Sequence, residues 1–247
     1  MAKKLFEINP ALDRAALAGE FAPHKRVQIR DVLTGETARE IRSILGQHTP
    51  WGLAAQAGIA DPPGPQQVLA QDLKADAGKK RAQALAQASH ASAANGDYAF
   101  RYAQYSLVQS YLEKWNEGGP HDLLLEYLNT PEFLELVGDV TGVEGLVKAD
   151  GQATLYGPQH FLAHHHDSHV AEGWKVAYVL NFTIDDWKPD WGGYLNFFDE
   201  EGDIVQGFRP RFNALNLFQV PQAHNVGFVP PFAPLGRFAI TGWLRDR

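Results

Sequence analysis

One stretch of the chain reads Tyr156-Gly-Pro-Gln-His-Phe-Leu-Ala-His-His-His-Asp167, and further on come His224 and Arg237. Imidazoles and carboxylates hold divalent metals and a guanidinium holds carboxylates, so these residue types could build a metal centre with an anion anchor beside it. Short alternation of apolar and polar residues around Gly157-Pro158 predicts two strands joined by a turn. Residues two apart on an extended strand share a face, so His165 and Asp167 project together while His164 and His166 point the opposite way. His224, in Val220-Pro-Gln-Ala-His-Asn-Val226, is placed to supply a third ligand. Two imidazoles and one carboxylate suit a ferrous ion with its remaining positions open, and zinc accepts the same set. Five of the ten histidines fall between 160 and 169, so a chance His-X-Asp or a loosely binding histidine tract is an alternative. Only His165 stands two before Asp167. His160, His164, His166 and His169 are expected to support the ligands, lie on the surface or face the substrate.

Arg237 opens Arg-Phe-Ala-Ile-Thr-Gly-Trp243, whose alternation puts Arg237, Ala239 and Thr241 on one face. An arginine directed into an apolar sheet is costly unless an anion neutralises it. Its planar fork matches a carboxylate through two parallel hydrogen bonds. A salt bridge to an internal Asp or Glu is the commoner fate. The distal carboxylate of a dicarboxylic cosubstrate accounts in addition for its position soon after the third ligand.

The pattern Tyr156…Phe161-Leu162-Ala-His-His165-His-Asp167 resembles that of the Fe(II)/2-oxoglutarate-dependent dioxygenases in their prolyl 4-hydroxylase branch. Tyr178-Val-Leu-Asn181 followed by Trp191-Gly-Gly-Tyr-Leu195 resembles the strand-turn-strand signature of that branch, and Asn213 to Phe218, His224 and Arg237 to Trp243 resemble its C-terminal strands. The similarity is strongest to the predicted proline hydroxylases related to the yeast ribosomal-protein enzyme, from about 150 onward. It is weaker at Asn9 to Asp13, Arg26 to Ile29 and Pro50-Trp51. The resemblance implies His165, Asp167 and His224 as iron ligands and catalytic centre, with Arg237 anchoring the far carboxylate of 2-oxoglutarate. It further implies Tyr156 as a hydrogen-bonding partner of the cosubstrate and Thr241 as a hydroxyl lining its pocket. Fe(II), 2-oxoglutarate and O2 would be the cofactors, with ascorbate as a supporting reductant. The implied reaction hydroxylates an unactivated C–H, foremost of a prolyl residue in a peptide or protein, releasing succinate and CO2. A free amino acid or small metabolite is the alternative substrate. Val179 stands where some relatives have a second tyrosine assisting the arginine, and Tyr178, one position off, should face the other way. Pro230 to Pro234 stretches the spacing between His224 and Arg237.

A zinc hydrolase would use the same ligands with a nearby general base, but no His-Glu-X-X-His occurs and Arg237 would have no task. A catalytically silent metal-binding module would have lost a ligand or the arginine, and all are present. The 247 residues allow one large domain, and 45% hydrophobic with 21% charged residues is ordinary for a water-soluble protein. A net charge of −7 argues against bulk nucleic-acid binding. The absence of cysteine excludes disulfides, thiolate metal sites and cysteine nucleophiles. The N-terminal residues show no secretory pattern and no run approaches the ~18 apolar residues of a membrane span, so a cytoplasmic location is expected.

The elements that must position these groups follow from local pattern. Arg26 to Arg30 is expected as a strand, and Thr37 to Leu45 as a helix starting near Thr34 or Glu36. Asp61-Pro-Pro-Gly-Pro65 should be a loop. The alanine-rich run from Asp72 to Ala94 predicts a helix weakened at Gly78, with Leu73, Ala77, Leu85 and Ala88 as its apolar stripe. Tyr98, Phe100 and Tyr102 alternate as on a strand and are expected to pack the core, with a substrate platform as the lesser alternative. His121 to Tyr127 and Pro131 to Gly138 predict helices, the second capped at Thr130 with proline at its first position. Trp187 and Trp191 could grip a proline-containing chain or simply pack their hairpin. Short strands follow Val147. The expected fold is therefore α+β: a double-stranded β-helix, or jelly-roll, with supporting helices. We expect one domain over 1–247, helix-rich to about 145 and strand-rich with the metal site from 146 onward.

Overall fold

Runs in which apolar residues recur at every second position fold as strands, and the central ones are apolar on both sides because both sides are covered. The structure, a computed structural model, describes residues 6–58, 64–167, 173–184 and 186–247. Expectations touching the first residues of the chain, the Asp61 to Pro63 break, His169 and Asp185 fall outside these residues.

The strands are β1 (Arg26–Arg30), β2 (Gly52–Gln56), β3 (Gln66–Val68), β4 (Phe100–Ser106), β5 (Lys148–Ala149), β6 (Gln152–Tyr156) and β7 (Phe161–His166). They continue with β8 (Trp174–Phe182), β9 (Leu195–Phe198), β10 (Ile204–Phe208), β11 (Phe212–Gln219), β12 (Ala223–Val226) and β13 (Arg237–Arg245). They pair antiparallel in the order β1-β11-β8-β13-β6-β4-β7-β12-β9-β10, with β2 and β3 beyond β4 and β5 beside β13. The sheet folds over at β4, whose Phe100 and Arg101 pair with β7 while Ala103 to Ser106 pair with β6. It thereby curls into a nearly closed barrel, the jelly-roll expected. The stretch before residue 145, expected to be helix-rich, also supplies β1 to β4.

The helices are α1 (Arg14–Phe21), α2 (Gly35–Ser43), α3 (Asp76–Ala94), α4 (Leu107–Leu112), α5 (Pro120–Leu128) and α6 (Pro131–Thr141). Leu124 and Leu128 of α5, with Phe133, Leu136, Val137 and Val140 of α6, share one core with Val176, Tyr178, Leu180 and Phe182 of β8 and with Leu215, Leu217 and Ile240. Each such side chain contributes about 1.5–3 kcal/mol on burial. The intervening residues Ala177 and Val179 belong to the barrel interior with Phe197, Phe218 and Ala239. The period of two along β8 thus divides helix-facing residues from cavity-facing ones. Tyr178 faces the helices, edge-on to Phe133 at 5.7 Å, and donates its hydroxyl to the Asp150 carbonyl at 2.6 Å.

Local signals were met with differences. Thr130 precedes α6 with Pro131 in the first turn, but its hydroxyl donates to the Tyr127 carbonyl at 2.8 Å instead of capping the helix. α4 was not anticipated; the Ser106 hydroxyl oxygen starts it by accepting from the Gln109 N–H. Along α3 Ser89 and Ser92 are buried and Leu85 half-buried, whereas Ala77 and Ala88 are exposed, so the expected stripe is corrected to a face nearer the helix C-terminus. Gly78 is explained by close approach: a Cβ there would collide with the Asp72 backbone carbonyl. Helix propensity alone favours alanine over glycine by about 1 kcal/mol. Gly78→Ala is nevertheless expected to destabilise the protein, lowering Tm by about 2–4 °C for each kcal/mol lost in a chain of this size. An unchanged or higher Tm in a thermal melt would contradict the collision.

Candidate metal centre

The antiparallel pairing of β12 with β7 sets His224 directly opposite His165, and β12 also pairs with β9 on its other side. Asp167 follows β7 immediately. His165 Nε2 lies 3.4 Å from Asp167 Oδ1 and His224 Nε2 lies 3.6 Å from Asp167 Oδ2. One ligand atom from each of the three lies within 4.8 Å of the others, and this is the one such group among the described residues. Ligand atoms sharing a cation at about 2.1 Å on adjacent positions sit about 3 Å apart, so a modest inward movement completes the cage.

The ring orientations are set from behind. His165 Nδ1 lies 2.9 Å from the Ala163 carbonyl and His224 Nδ1 2.9 Å from the Gln222 carbonyl. Carbonyls accept only, so each Nδ1 carries the proton and each Nε2 offers its lone pair inward. Burial, with the neighbouring His165, pushes the His224 pKa down to about 4, so the ring is neutral and competent as a ligand at neutral pH. Burial pushes the Asp167 carboxyl up, but the two imidazoles and the Trp243 N–H outweigh this and hold it below its ordinary value. Trp243 Nε1 donates to Asp167 Oδ2 at 2.9 Å, and its ring stacks on Trp174 with centroids 4.0 Å apart at 7°.

Arg237 comes in from β13. It is 1% exposed, its Nε donates to Asn181 Oδ1 at 3.4 Å, and its Cζ sits 5.3 Å from the Tyr156 ring centroid. Among the described residues no carboxylate pairs with it, and one terminal nitrogen, Nη1, is buried with no acceptor. The internal salt bridge weighed from the sequence is therefore not what the structure shows. Desolvation lowers its pKa to about 10, which leaves it protonated at neutral pH. Tyr156 is raised well above the ordinary phenol value, chiefly by burial, and stays neutral.

A cavity of about 840 Å³ joins these groups: His165, Asp167, His224, Arg237, Tyr156 and Thr241 all line it. Val179, opposite Thr241 in the β8–β13 ladder, lines it too, so the apolar substitution noted in the sequence faces the cavity. Tyr98, Phe100 and Tyr102, expected to pack the core, line the same cavity. Phe100, Tyr102 and Tyr156 form a stack with successive centroids 5.3 and 4.9 Å apart, and Tyr98 lies 5.6 Å from the His165 ring. His164 and His166 are exposed and meet each other at 5.6 Å, and His166 also borders the cavity. His160 instead closes the β6–β7 turn, accepting the Gly157 N–H at 3.0 Å. Trp187 is 0% exposed and bonds the Gly192 carbonyl, so it packs its hairpin and forms no groove. Trp243 and Asn181 were missed as site residues. Trp243 is two past Thr241 on the face already identified, and Asn181 is the polar residue in a strand otherwise apolar toward its end.

Residues 151–245 match the family model described as the 2OG-Fe(II) oxygenase superfamily. Solved structures share the fold. A Pseudomonas putida prolyl-4-hydroxylase aligns at TM-score 0.56 and 16% identity, over 95% of this chain and 99% of its own. A Trichoplax adhaerens prolyl hydroxylase in complex with a hypoxia inducible factor peptide fragment aligns at TM-score 0.59 and 15% identity, over 94% and 89%. The non-heme alpha ketoglutarate dependent epimerase SnoN from nogalamycin biosynthesis aligns at TM-score 0.55 and 12% identity, over 96% and 84%. No curated protein matches the chain. The matched segment, less than half of the chain, contains the two imidazoles, the carboxylate and the guanidinium; over it the chain is similar to the 2OG-Fe(II) oxygenases, and its His-Asp-His group fits an Fe(II) site.

Two outcomes are expected. Trp243→Phe keeps the stack on Trp174 but removes the N–H to Asp167, and should weaken Fe(II) binding in an anaerobic titration by about 10-fold or more, the usual effect of losing such a partner. His160 is lowered to about 4, chiefly by burial, against an unfolded value of 6.5. The unfolded chain therefore binds more protons between these values, and the contribution of this ring is present above pH 6.5 and lost as pH falls toward 4. His160→Gln should flatten the decline of Tm between pH 7 and 5; an unchanged slope would exclude this role.

Proposed function

We propose that the protein hydroxylates an unactivated C–H bond, with a prolyl residue of a peptide or protein as substrate, consuming 2-oxoglutarate and O2 and releasing succinate and CO2. In this reading His165, Asp167 and His224 hold Fe(II), and Arg237 holds the far carboxylate of 2-oxoglutarate. The observation that carries it is the buried, protonated Arg237 with an unsatisfied N–H in the cavity of the triad. A dicarboxylate reaching from metal to guanidinium would satisfy both ends. Zinc hydrolysis would leave Arg237 without a partner, at a desolvation cost of several kcal/mol.

Bound iron, cosubstrate and oxygen supply the oxidising chemistry, and the chain's residues supply placement. The Ala163 and Gln222 carbonyls fix the two imidazoles, the Trp243 N–H fixes the carboxylate, and Asn181 steadies the guanidinium from its Nε side. Tyr156 and Thr241 line the cosubstrate pocket, the neutral phenol serving as a hydrogen-bond donor.

The prolyl assignment draws support from the neighbouring structure solved with a peptide fragment and from the aromatic wall. Tyr98 offers an aromatic face beside His165, suited to a pyrrolidine ring, next to the Phe100–Tyr102 stack. The cavity is large enough for a cosubstrate together with one substrate side chain.

Anaerobic addition of Fe(II) and 2-oxoglutarate should produce the weak visible charge-transfer band of the ternary complex. Arg237→Gln should raise the 2-oxoglutarate requirement by about 100-fold, the scale of losing a buried charge-assisted pair. Unaltered cosubstrate affinity in this variant would remove Arg237 from the role. Mass spectrometry on proline-containing peptides and on free proline should show a gain of one oxygen that depends on 2-oxoglutarate. A gain confined to free proline would assign a small-molecule substrate instead.

A further inference from the structure

A second cavity, of about 560 Å³, lies where the barrel fails to close, between the free edges of β1 and β10. Side chains bridge that seam: Arg26 Nε donates to Gln206 Oε1 at 2.6 Å, and Gln28 Nε2 donates to the Arg209 carbonyl at 3.0 Å. Arg26, Arg30, Arg209 and Arg211 all line it. On β1 the alternate residues Val27 and Ile29 face the helices, so Arg26, Gln28 and Arg30 point to the barrel side of the sheet.

Guanidinium groups that converge on the flank of a jelly-roll are expected to be paired with acids. Among the described residues none of these is. No carboxylate forms an ion pair with any of them, and Glu20, the one acid lining the cavity, bonds none of them. Their partners are neutral: Arg211 donates to Gln28 Oε1, Arg26 to the Gln206 and Gln222 side chains, and Arg209 to the Trp187 carbonyl at 3.3 Å. Arg209 also leaves Nε buried with no acceptor. Burial and the neighbouring Arg209 and Arg30 charges lower the Arg211 pKa, which registers the mutual repulsion. All this occurs in a chain whose net charge is −7.

We propose that this seam is a binding site for a small multivalent oxyanion, a phosphate ester or polycarboxylate. The planar forks suit oxygen pairs, and the volume suits a small molecule and not a folded partner. The site is distinct from the metal centre. No residue that lines it lines the cavity of the triad; Arg26 lies over the Phe197 ring at 4.7 Å, and Phe197 and Phe218 in turn meet His224, at 6.3 and 4.7 Å.

Calorimetric titration of the whole protein with inorganic pyrophosphate and with tricarballylate, at fixed ionic strength and with sulfate as control, tests this. One-site saturable binding of one probe is expected, at least 10-fold weaker in Arg30→Gln/Arg211→Gln and unchanged in Arg237→Gln. Preference for pyrophosphate identifies a phosphate ester, and preference for tricarballylate a polycarboxylate. Among the described residues Arg30 makes no side-chain hydrogen bond, so Arg30→Gln alone, with an expected loss of about 3-fold, carries the test if the double variant fails to fold. Binding no tighter than sulfate, binding unaltered in the arginine variants, or binding abolished by Arg237→Gln would each overturn the proposal.

Discussion

Everything at the metal centre depends on the register of two short strands. β12 meets β7 so that His224 stands opposite His165, and Asp167 lies two residues further along from His165. Side chains alternate with a period of two, so a slip of one residue would send His224 to the far side of the sheet. The register is held on both edges of β12, because β9 pairs with the same His224 through Phe197. Val226 at the end of the strand is buried in the cavity-side cluster with Tyr156 and Phe100, which fixes the same orientation by burial. Hydrogen bonding and apolar packing therefore select one alignment, and that alignment brings together candidate ligands 59 positions apart in the chain.

The helix layer matters for a related reason. β8 and β13 carry the cavity wall on one face, and the other face holds Val176, Leu180, Ile240 and Leu244, which water would otherwise meet. Packing α5 and α6 there makes a two-sided sheet, and a two-sided sheet can hold an arginine rigidly in its inner face. Asn181 shows how: on a strand buried on both sides, its amide donates to the Val179 and Ala214 carbonyls and leaves Oδ1 to Arg237. The guanidinium is thus oriented by a neutral acceptor that does not cancel its charge. An aspartate in that place would have consumed it.

Much of this could be read from the sequence because it is local. The His165–Asp167 pair, the Gly157-Pro158 turn and the Arg237 face follow from a period of two and from turn chemistry, and the structure brings those side chains to one cavity. Pairing across long separations is not local, and here the sequence was less informative. That β4 belongs to the barrel, and that Tyr98 to Tyr102 wall the cavity, depends on β4 pairing with both β6 and β7. No pattern within those residues reports that. The stripe on α3 was misplaced because alanine is nearly indifferent to burial, so a run of alanines carries little amphipathic signal, and the contact face is marked by Ser89 and Ser92 instead. Gly78, which reads as a weak point in a helix, is a steric requirement set by the turn before it.

One physical cause has opposite consequences at the two ends of the cavity. Desolvation disfavours the charged form of a base wherever it acts. For His224 it starts from 6.5 and arrives at about 4, below neutral pH, so the proton is lost and the Nε2 lone pair is free for a metal. For Arg237 it starts from 12.5 and arrives at about 10, above neutral pH, so the charge survives while the solvent that would screen it is gone. Burial, helped at His224 by the neighbouring His165, thus yields a neutral donor at one end and a cation at the other. Lysine at 237 would not serve as well, because it starts lower and lacks the fork that grips two oxygens together. A second histidine there would be uncharged altogether. Imidazoles at the triad and a guanidinium across the cavity suit a site that is to bind a metal cation and a dicarboxylate side by side.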